Sequence, residues 1–265
     1  MKQLTALDIS SNRIGDGGAM LIGGLKNLIT LQIYENHLGP NGAKSISELK
    51  QLTILDISHN RIRDEGVKSI SEKMDQLTNL DISFVGISEK GLVPLVEMKN
   101  LKILAFYDCQ LSTKQAETIS KMKQITELDI SYNLTNNEIL KSIGEMKQLI
   151  KLYLVKNGIT SHQVEIISQL KQLTVLNISE NEIRNEGVVY ISGLKQLTEL
   201  DISNNGIGYE GVLSICKMTQ LTKLSIYNNP IPEEALRILD GMKQFRQLVT
   251  GISASYYLSS IVSIR

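Results

Sequence analysis

Bond-making chemistry needs side chains that converge, and the candidates in this sequence are few: His37, His59, His162, Cys109 and Cys216. The three His fall in different stretches without HExxH or paired-His spacing, so each reads as a loop or surface residue and not as a metal ligand. Two Cys with no CxxC spacing make neither a disulfide framework nor a metal ribbon, and they fit a reducing compartment. The glycines of Gly15-Asp16-Gly17-Gly18 and Gly23-Gly24 match no phosphate-loop spacing. No catalytic residue, metal or cofactor is called for, and an enzyme is not expected. What remains is recognition chemistry, carried by carboxylates and by an aromatic set of nine Tyr and three Phe. The 265 residues balance 28 Lys plus Arg against 28 Asp plus Glu. Zero net charge argues against a strongly basic nucleic-acid binder or a polybasic membrane anchor, although a net count does not show how the charges are arranged. With neither a signal-peptide core nor an uncharged run of about 20 apolar residues, the expectation is a cytoplasmic protein that does not enter a membrane.

The elements that must position these residues follow from a repeat. The motif Leu-Thr-x-Leu-x-Ile-x-x-Asn-x-Ile recurs with its first apolar residue at Leu4, Leu28, Leu52, Leu77, Leu101, Ile125, Leu149, Leu173, Leu197, Leu221 and, degenerately, Phe245. The step is 24 residues except for 25 between Leu52 and Leu77. In the first half of each copy, Leu7 and Ile9 alternate with Asp8 and Ser10, the period of a short strand with one buried face. In the second half, Ala43, Ile46 and Leu49, or Val188, Ile191 and Leu194, trace one stripe of a short helix. Ser88, Ser112, Asn136 and Thr160 stand at N-cap positions, and Ser112 with Gln115 and Thr160 with Gln163 fit a capping box. Lys recurs after the stripe at 26, 50, 99, 123, 147, 171, 195 and 243, where it complements a helix C-terminus. Gly18, Gly42, Gly66, Gly91, Gly187 and Gly211 allow close backbone packing at helix starts.

One strand and one helix in 24 residues cannot close a core alone, so the copies must stack. Strands sit about 4.8 Å apart and packed helices about 8–10 Å apart, so the stack bends with strands on its inner wall. Asn at 12, 36, 60, 133, 157, 181, 205 and 229 satisfies backbone groups where each strand turns away, and Val85 and Cys109 interrupt this ladder. With the signature LxxLxLxxNxL matched over residues 1–244, the sequence resembles the leucine-rich repeat family. The 24-residue copy with a Gly-Ala or Gly-Val step resembles the GALA-type and ribonuclease-inhibitor-like group. The resemblance implies an α/β solenoid, a horseshoe with a parallel concave sheet and short helices outside, of about ten regular copies. It also implies a protein-binding scaffold. GALA-type effectors join such repeats to an F-box that recruits a ubiquitin ligase, and no F-box is legible here. In Ran GTPase activators of the related group a loop Arg has been proposed to assist hydrolysis, and Arg13, Arg61, Arg63 and Arg184 stand in comparable loops.

On this frame, the residues between the buried strand positions and the two before the Asn face the inner wall. There, ten acids (Asp8, Glu35, Asp56, Asp81, Asp108, Glu127, Asp129, Glu180, Glu199 and Asp201) meet three bases (Lys151, Lys156 and Lys223), a balance of about −7. That sign favours a protein partner with a basic or mixed-charge surface and disfavours nucleic acid. The alternative is that Asp in Leu-Asp-Ile-Ser is a repeat-consensus residue. The same wall holds Tyr34, Phe84, Tyr107, Tyr132, Tyr153 and Tyr227, four of them in consecutive copies where the template breaks. There Val85 and Cys109 replace Asn, and Gln115, Ile139 and Gln163 replace Gly. The expected partner-binding set is Tyr34, Asp56, His59, Asp81, Phe84, Tyr107, Asp129, Tyr132 and Tyr153, with the alternative that the aromatics only stabilise the sheet.

No cap is legible before Leu4, Leu7, Ile9, Ile14 and Ile22 of the first copy, so the expectation is a fragment of a longer array, end-to-end self-association through that end, or a frayed first copy. Residues 245–265 form a degenerate copy with a C-terminal cap expected around Tyr256, Tyr257, Leu258, Ile261 and Val262.

Overall fold

The computed structural model describes residues 4–250. The expected cap residues lie outside that range. Strand and helix alternate throughout: β1 (Ala6–Asp8), α1 (Gly15–Ile22), β2 (Thr30–Gln32), α2 (Pro40–Ile46), β3 (Ile54–Asp56), α3 (Arg63–Lys73), β4 (Asn79–Asp81), α4 (Glu89–Leu92), β5 (Ile103–Ala105), α5 (Thr113–Ser120) and β6 (Glu127–Asp129). Then come α6 (Asn137–Gly144), β7 (Lys151–Tyr153), α7 (Ser161–Ile167), β8 (Val175–Asn177), α8 (Arg184–Ile191), β9 (Glu199–Asp201), α9 (Tyr209–Ile215), β10 (Lys223–Ser225), α10 (Glu233–Asp240) and β11 (Gln247–Val249). The described residues gather into two compact bodies, one ending at Leu128 and one beginning at Asp129. Both have the α/β repeat architecture expected from the sequence.

In the first body, β1 to β5 pair in parallel in chain order, and the register equates Leu7, Leu31, Leu55, Leu80 and Leu104. In the second, β7 to β11 do the same through Leu152, Leu176, Leu200, Leu224 and Leu248. The extra residue between Leu52 and Leu77 leaves the strands in register and is absorbed by α3, which runs for 11 residues. Leu31, Ile33, Leu38, Ala43, Ile46 and Leu49 of a single repeat are all fully buried. Each large apolar side chain so removed from water contributes about 1.5–3 kcal/mol.

The Asn residues make the lateral bonds that their donor and acceptor groups suggested. Asn60 Oδ1 accepts the backbone N–H groups of Asn36 (3.0 Å) and Leu38 (2.9 Å). Its Nδ2 donates to the carbonyls of Ile33, Ile57 and Ser58, each at 3.0 Å. Asn181 repeats the pattern in the second body, accepting from Asn157 and Ile159 and donating to Leu154, Ile178 and Ser179.

Side-chain caps at the helix starts have two sources, while α1, α3, α8 and α10 begin without a side-chain cap of their own. α5, α6 and α7 begin at their own side chains: Ser112 Oγ accepts Gln115 N–H while Gln115 Oε1 accepts Ser112 N–H, Asn136 Oδ1 accepts Ile139 N–H, and Gln163 Oε1 accepts Thr160 N–H. α2, α4 and α9 receive a carboxylate or amide from the preceding repeat, in α4 alongside its own Ser88, whose Oγ accepts Lys90 N–H. Asp16 Oδ1 accepts Gly39 N–H (2.7 Å), Asp64 Oδ1 accepts Ser88 N–H (2.7 Å), and Asn185 Oδ1 accepts Gly208 N–H (2.8 Å) and Gly211 N–H (3.1 Å). This explains the conserved spacing of glycine in those helices: a Cβ at Gly42 would lie 2.5 Å from Asp16 Oδ1, and one at Gly91 2.4 Å from Asp64 Oδ1. At the other helix end, Lys123, Lys147 and Lys195 donate to the carbonyls of Ser120, Gly144 and Ser192. α4 stops after four residues because Pro94 has no N–H to continue the helix, and Val93–Glu97 tightens into a 3-10 turn.

Candidate functional site

Each strand leaves the sheet through a residue in the left-handed region immediately before the Asn position. Ser11, Glu35, His59, Phe84 and Asp108 occupy it in the first body, with φ between 47° and 57°. In the second body the residues are Tyr132, Lys156, Glu180, Asn204 and Asn228. Parallel repeats place equivalent residues about one strand spacing apart, so His59 stacks on Phe84 with ring centroids 4.4 Å apart and planes at 19°. Tyr107 comes from the position before Asp108 and closes the triangle. Its ring meets Phe84 edge-on at 5.9 Å, and its Oη lies 2.7 Å from His59 Nε2 across an intervening repeat. Such ring pairs are each worth about 0.5–1.5 kcal/mol beyond burial. Phe84 remains 40% exposed. Rigid and partly wet, the cluster offers contact area with its rotamers already fixed.

The cluster stands where the Asn ladder is interrupted. Fully buried Val85 supplies no polar atom, and Cys109 makes a reduced version of the Asn pattern: its Sγ accepts Phe84 N–H (3.3 Å) and donates to the Tyr107 carbonyl (3.2 Å). Burial pushes the Cys109 thiol up to about 12, so it stays protonated and unreactive at neutral pH. An open groove of about 420 Å³ runs beside these two residues, with Phe84 as one wall and Arg61, Arg63 and Asp108 as others. Both cysteines are half-buried and make no disulfide.

The family model described as "Leucine-rich repeat region" matches residues 1–207. The chain is a leucine-rich repeat protein. Among solved structures it is similar to an internalin (InlF) from Listeria monocytogenes, at 20% identity over 96% of this chain and 88% of that one, with a TM-score of 0.48. It is also similar to the mouse RP105/MD-1 complex, at 17% identity over 92% of this chain and 47% of that one, with a TM-score of 0.61. No curated protein matches the sequence.

The sequence-derived set divides when placed on this leucine-rich repeat frame. His59, Phe84 and Tyr107 come together. Tyr34 is 38% exposed on the same body and makes no ring contact with them among the described residues. In the second body, Tyr132 carries the Lys156 ammonium 5.5 Å from its ring centroid, and Lys156 also lies 4.0 Å from Glu180. Tyr153 is half-buried in β7, in register with Asn177.

The acids depart from the expected solvent-facing row. Of the ten, Asp56, Asp81, Glu127, Asp129 and Asp201 are at most 7% exposed. The four Asp among them turn a carboxylate oxygen back onto the Ser two residues on. Asp56 Oδ1 accepts Ser58 N–H (3.0 Å) and Oγ–H (2.6 Å), and Asp81, Asp129 and Asp201 accept the N–H of Ser83, Ser131 and Ser203. Burial raises the pKa of Asp56 and Asp201 above the ordinary carboxylate value, against the lowering effect of the Ser hydrogen bonds. Strand alternation assigns a face but not a depth. The −7 wall therefore overstates the charge a partner meets, and the repeated Asp-Ile-Ser is a local brace. Arg61 and Arg63, named from the sequence only as loop residues in the comparison with Ran GTPase activators and not in the partner-binding set, enter the site through the groove. The interrupted ladder at 85 and 109 is the sequence signal that marks its place.

Among the described residues, no group of three or more His, Cys, Asp and Glu gathers in a metal-binding arrangement, and no helix is long and apolar enough to cross a membrane.

Proposed function

We propose that this leucine-rich repeat chain is a non-enzymatic protein-binding scaffold whose contact surface in the first body is centred on His59, Phe84 and Tyr107. The observation that carries the reading is the coincidence of a pre-organised, partly exposed aromatic cluster with the one stretch where the ladder residues are replaced by Val85 and Cys109. Aromatic side chains held in fixed rotamers supply hot-spot contact area at low entropic cost. Tyr34 widens this surface, and Tyr132 and Tyr153 serve the second body in the same way. With half of the wall's acids buried, four of them as braces, a mixed-charge partner surface suits the chain better than a uniformly basic one. The free thiols agree with a reducing, cytoplasmic setting, and we read the 24-residue copies as GALA-type.

The test is partner capture with a photo-crosslinking amino acid at Phe84, followed by affinity measurement on the captured protein. Replacing His59, Phe84 and Tyr107 with Ala is expected to weaken that affinity at least tenfold while lowering stability by about 1–3 kcal/mol from lost ring pairs. Undiminished affinity in a destabilised triple variant would reduce the cluster to a staple of the sheet.

A further inference from the structure

The groove beside Val85 and Cys109 has properties that the aromatic cluster does not share. Arg61 and Arg63 are both exposed, and among the described residues neither guanidinium pairs with a carboxylate or donates a side-chain hydrogen bond. Their backbones are nevertheless fixed. Arg61 N–H donates to the Leu38 carbonyl (2.8 Å), and Arg63 N–H donates to the Val85 carbonyl (3.1 Å) with Arg63 in the left-handed region at φ 55°. The lining contains one acid, Asp108, and the Cys109 thiol adds no charge because it stays protonated. Gly86 holds the groove open: its φ is +72°, and nothing lies within 4 Å of where its Cβ would stand. The volume of about 420 Å³ is within the range of sites that take a ligand group or a few side chains. Guanidinium forks match carboxylates in geometry as well as charge, and Phe84 offers an apolar wall next to them.

We infer that this groove is the docking site for an acidic segment of a partner protein, whose carboxylates engage Arg61 and Arg63 while an apolar side chain packs against Phe84. The inference rests on the protein-binding reading and names the chemistry of the partner. A nucleic acid fits less well, because an extended polyanion needs a row of cations and the lining holds two, Arg61 and Arg63, beside the carboxylate of Asp108.

The test is selection of phage-displayed random 12-residue peptides on the immobilised full chain, followed by affinity measurement of the enriched peptides in solution. Enriched sequences are expected to be rich in Asp and Glu around at least one aromatic or aliphatic residue, and to bind more weakly as salt rises. The paired substitution Arg61→Glu and Arg63→Glu, at exposed positions, should weaken binding at least tenfold with the urea midpoint unchanged. Gly86→Asn, which fills the groove with a residue tolerant of positive φ, should do the same without changing charge. Enrichment of Lys- and Arg-rich sequences, no enrichment, or acidic peptides indifferent to both variants would overturn the inference. Peptides that lose affinity on His59→Ala with Tyr107→Ala but not on the Arg reversal would sink the groove and leave the scaffold reading standing. Indifference to all of these variants sinks both. Displacement of the peptide by an RNA oligomer of equal charge at lower concentration would replace the partner class and overturn the inference as well.

Discussion

In β8, Asn177 holds the position that Asp holds in β3, β4, β6 and β9, and its Oδ1 accepts the Ser179 N–H (3.0 Å) and Oγ–H (2.8 Å) as Asp56 does with Ser58. The brace needs an oxygen acceptor, then, and no charge. Asp201 is 3% exposed, and burial holds its pKa above the ordinary value, so the native state binds the proton more tightly than the unfolded chain. For a raised acid, stability is highest with the proton on and falls as pH rises from the unfolded value of about 4 through the folded pKa. Asp201→Asn should therefore be more stable than the parent in urea at pH 7, with the advantage shrinking as pH is lowered and gone below about pH 4. An Asn variant less stable at pH 7 would show that the carboxylate's second oxygen carries a bond the amide cannot replace. The residue pattern Leu-Asp-Ile-Ser was visible in the sequence. The Ser that consumes the acid is part of the same four letters, but period-2 alternation alone does not reveal that two side chains on one face have closed on each other.

At the scale of elements, the source of the cap accounts for the glycine in α2, α4 and α9 and for its replacement in α5 and α7, whereas Gly66 and Gly187 leave room for Ile62 and Ile183. α2 begins at Gly39, which has no side chain to cap it, and borrows Asp16 from the preceding repeat. Gly42 then leaves room for that carboxylate. α5 and α7 carry their own Ser112 and Thr160, and Gln115 and Gln163 stand where the glycine would be. Capping boxes were legible because cap and partner lie three residues apart. The borrowed caps were not, since Asp16 and Gly39 lie 23 residues apart and only stacking joins them. A double-mutant cycle measures the link. Asp16→Ala should cost about 1 kcal/mol through the lost cap, and Gly42→Ala should destabilise the parent. In the Asp16→Ala background, Gly42→Ala should cost less by about 0.5 kcal/mol or more, because the new Cβ no longer meets the Asp16 carboxylate, whereas Ala's helix preference is the same in both backgrounds. Additive effects in urea unfolding would show that Asp16 and Gly42 do not share the space.

Across the whole molecule, burial is uneven in a way that follows from nearest-neighbour stacking. Leu28, Leu31, Ile33, Leu38 and Ile46 are fully buried, whereas their counterparts Leu4, Leu7, Ile9, Ile14 and Ile22 in the first copy are only half-buried, and β1 pairs on one side with β2. Backbone amides of residues 5–14 should exchange with deuterium at least tenfold faster than those of residues 53–62, because repeats with fewer partners open at lower free energy. Equal protection of the two stretches would mean that a second copy covers the first repeat in solution, which sedimentation velocity would register as a dimer. The repeat and its period were readable from eleven copies of one motif, and so was the fold. The groove beside Val85 and Cys109 was not, because it arises where two copies depart from the motif, and a departure in sequence shows where order fails without showing what space it opens. The left-handed turn residue before each Asn position bears on design. Ten non-glycine side chains, from Ser11 to Asn228, occupy a conformation that costs them about 1–2 kcal/mol each. They include a carboxylate, an imidazole, an ammonium, a phenol and a phenyl ring. The scaffold already accepts nearly every side-chain chemistry at these ten places, so they are natural sites to randomise in a library that seeks new specificities without altering the repeat.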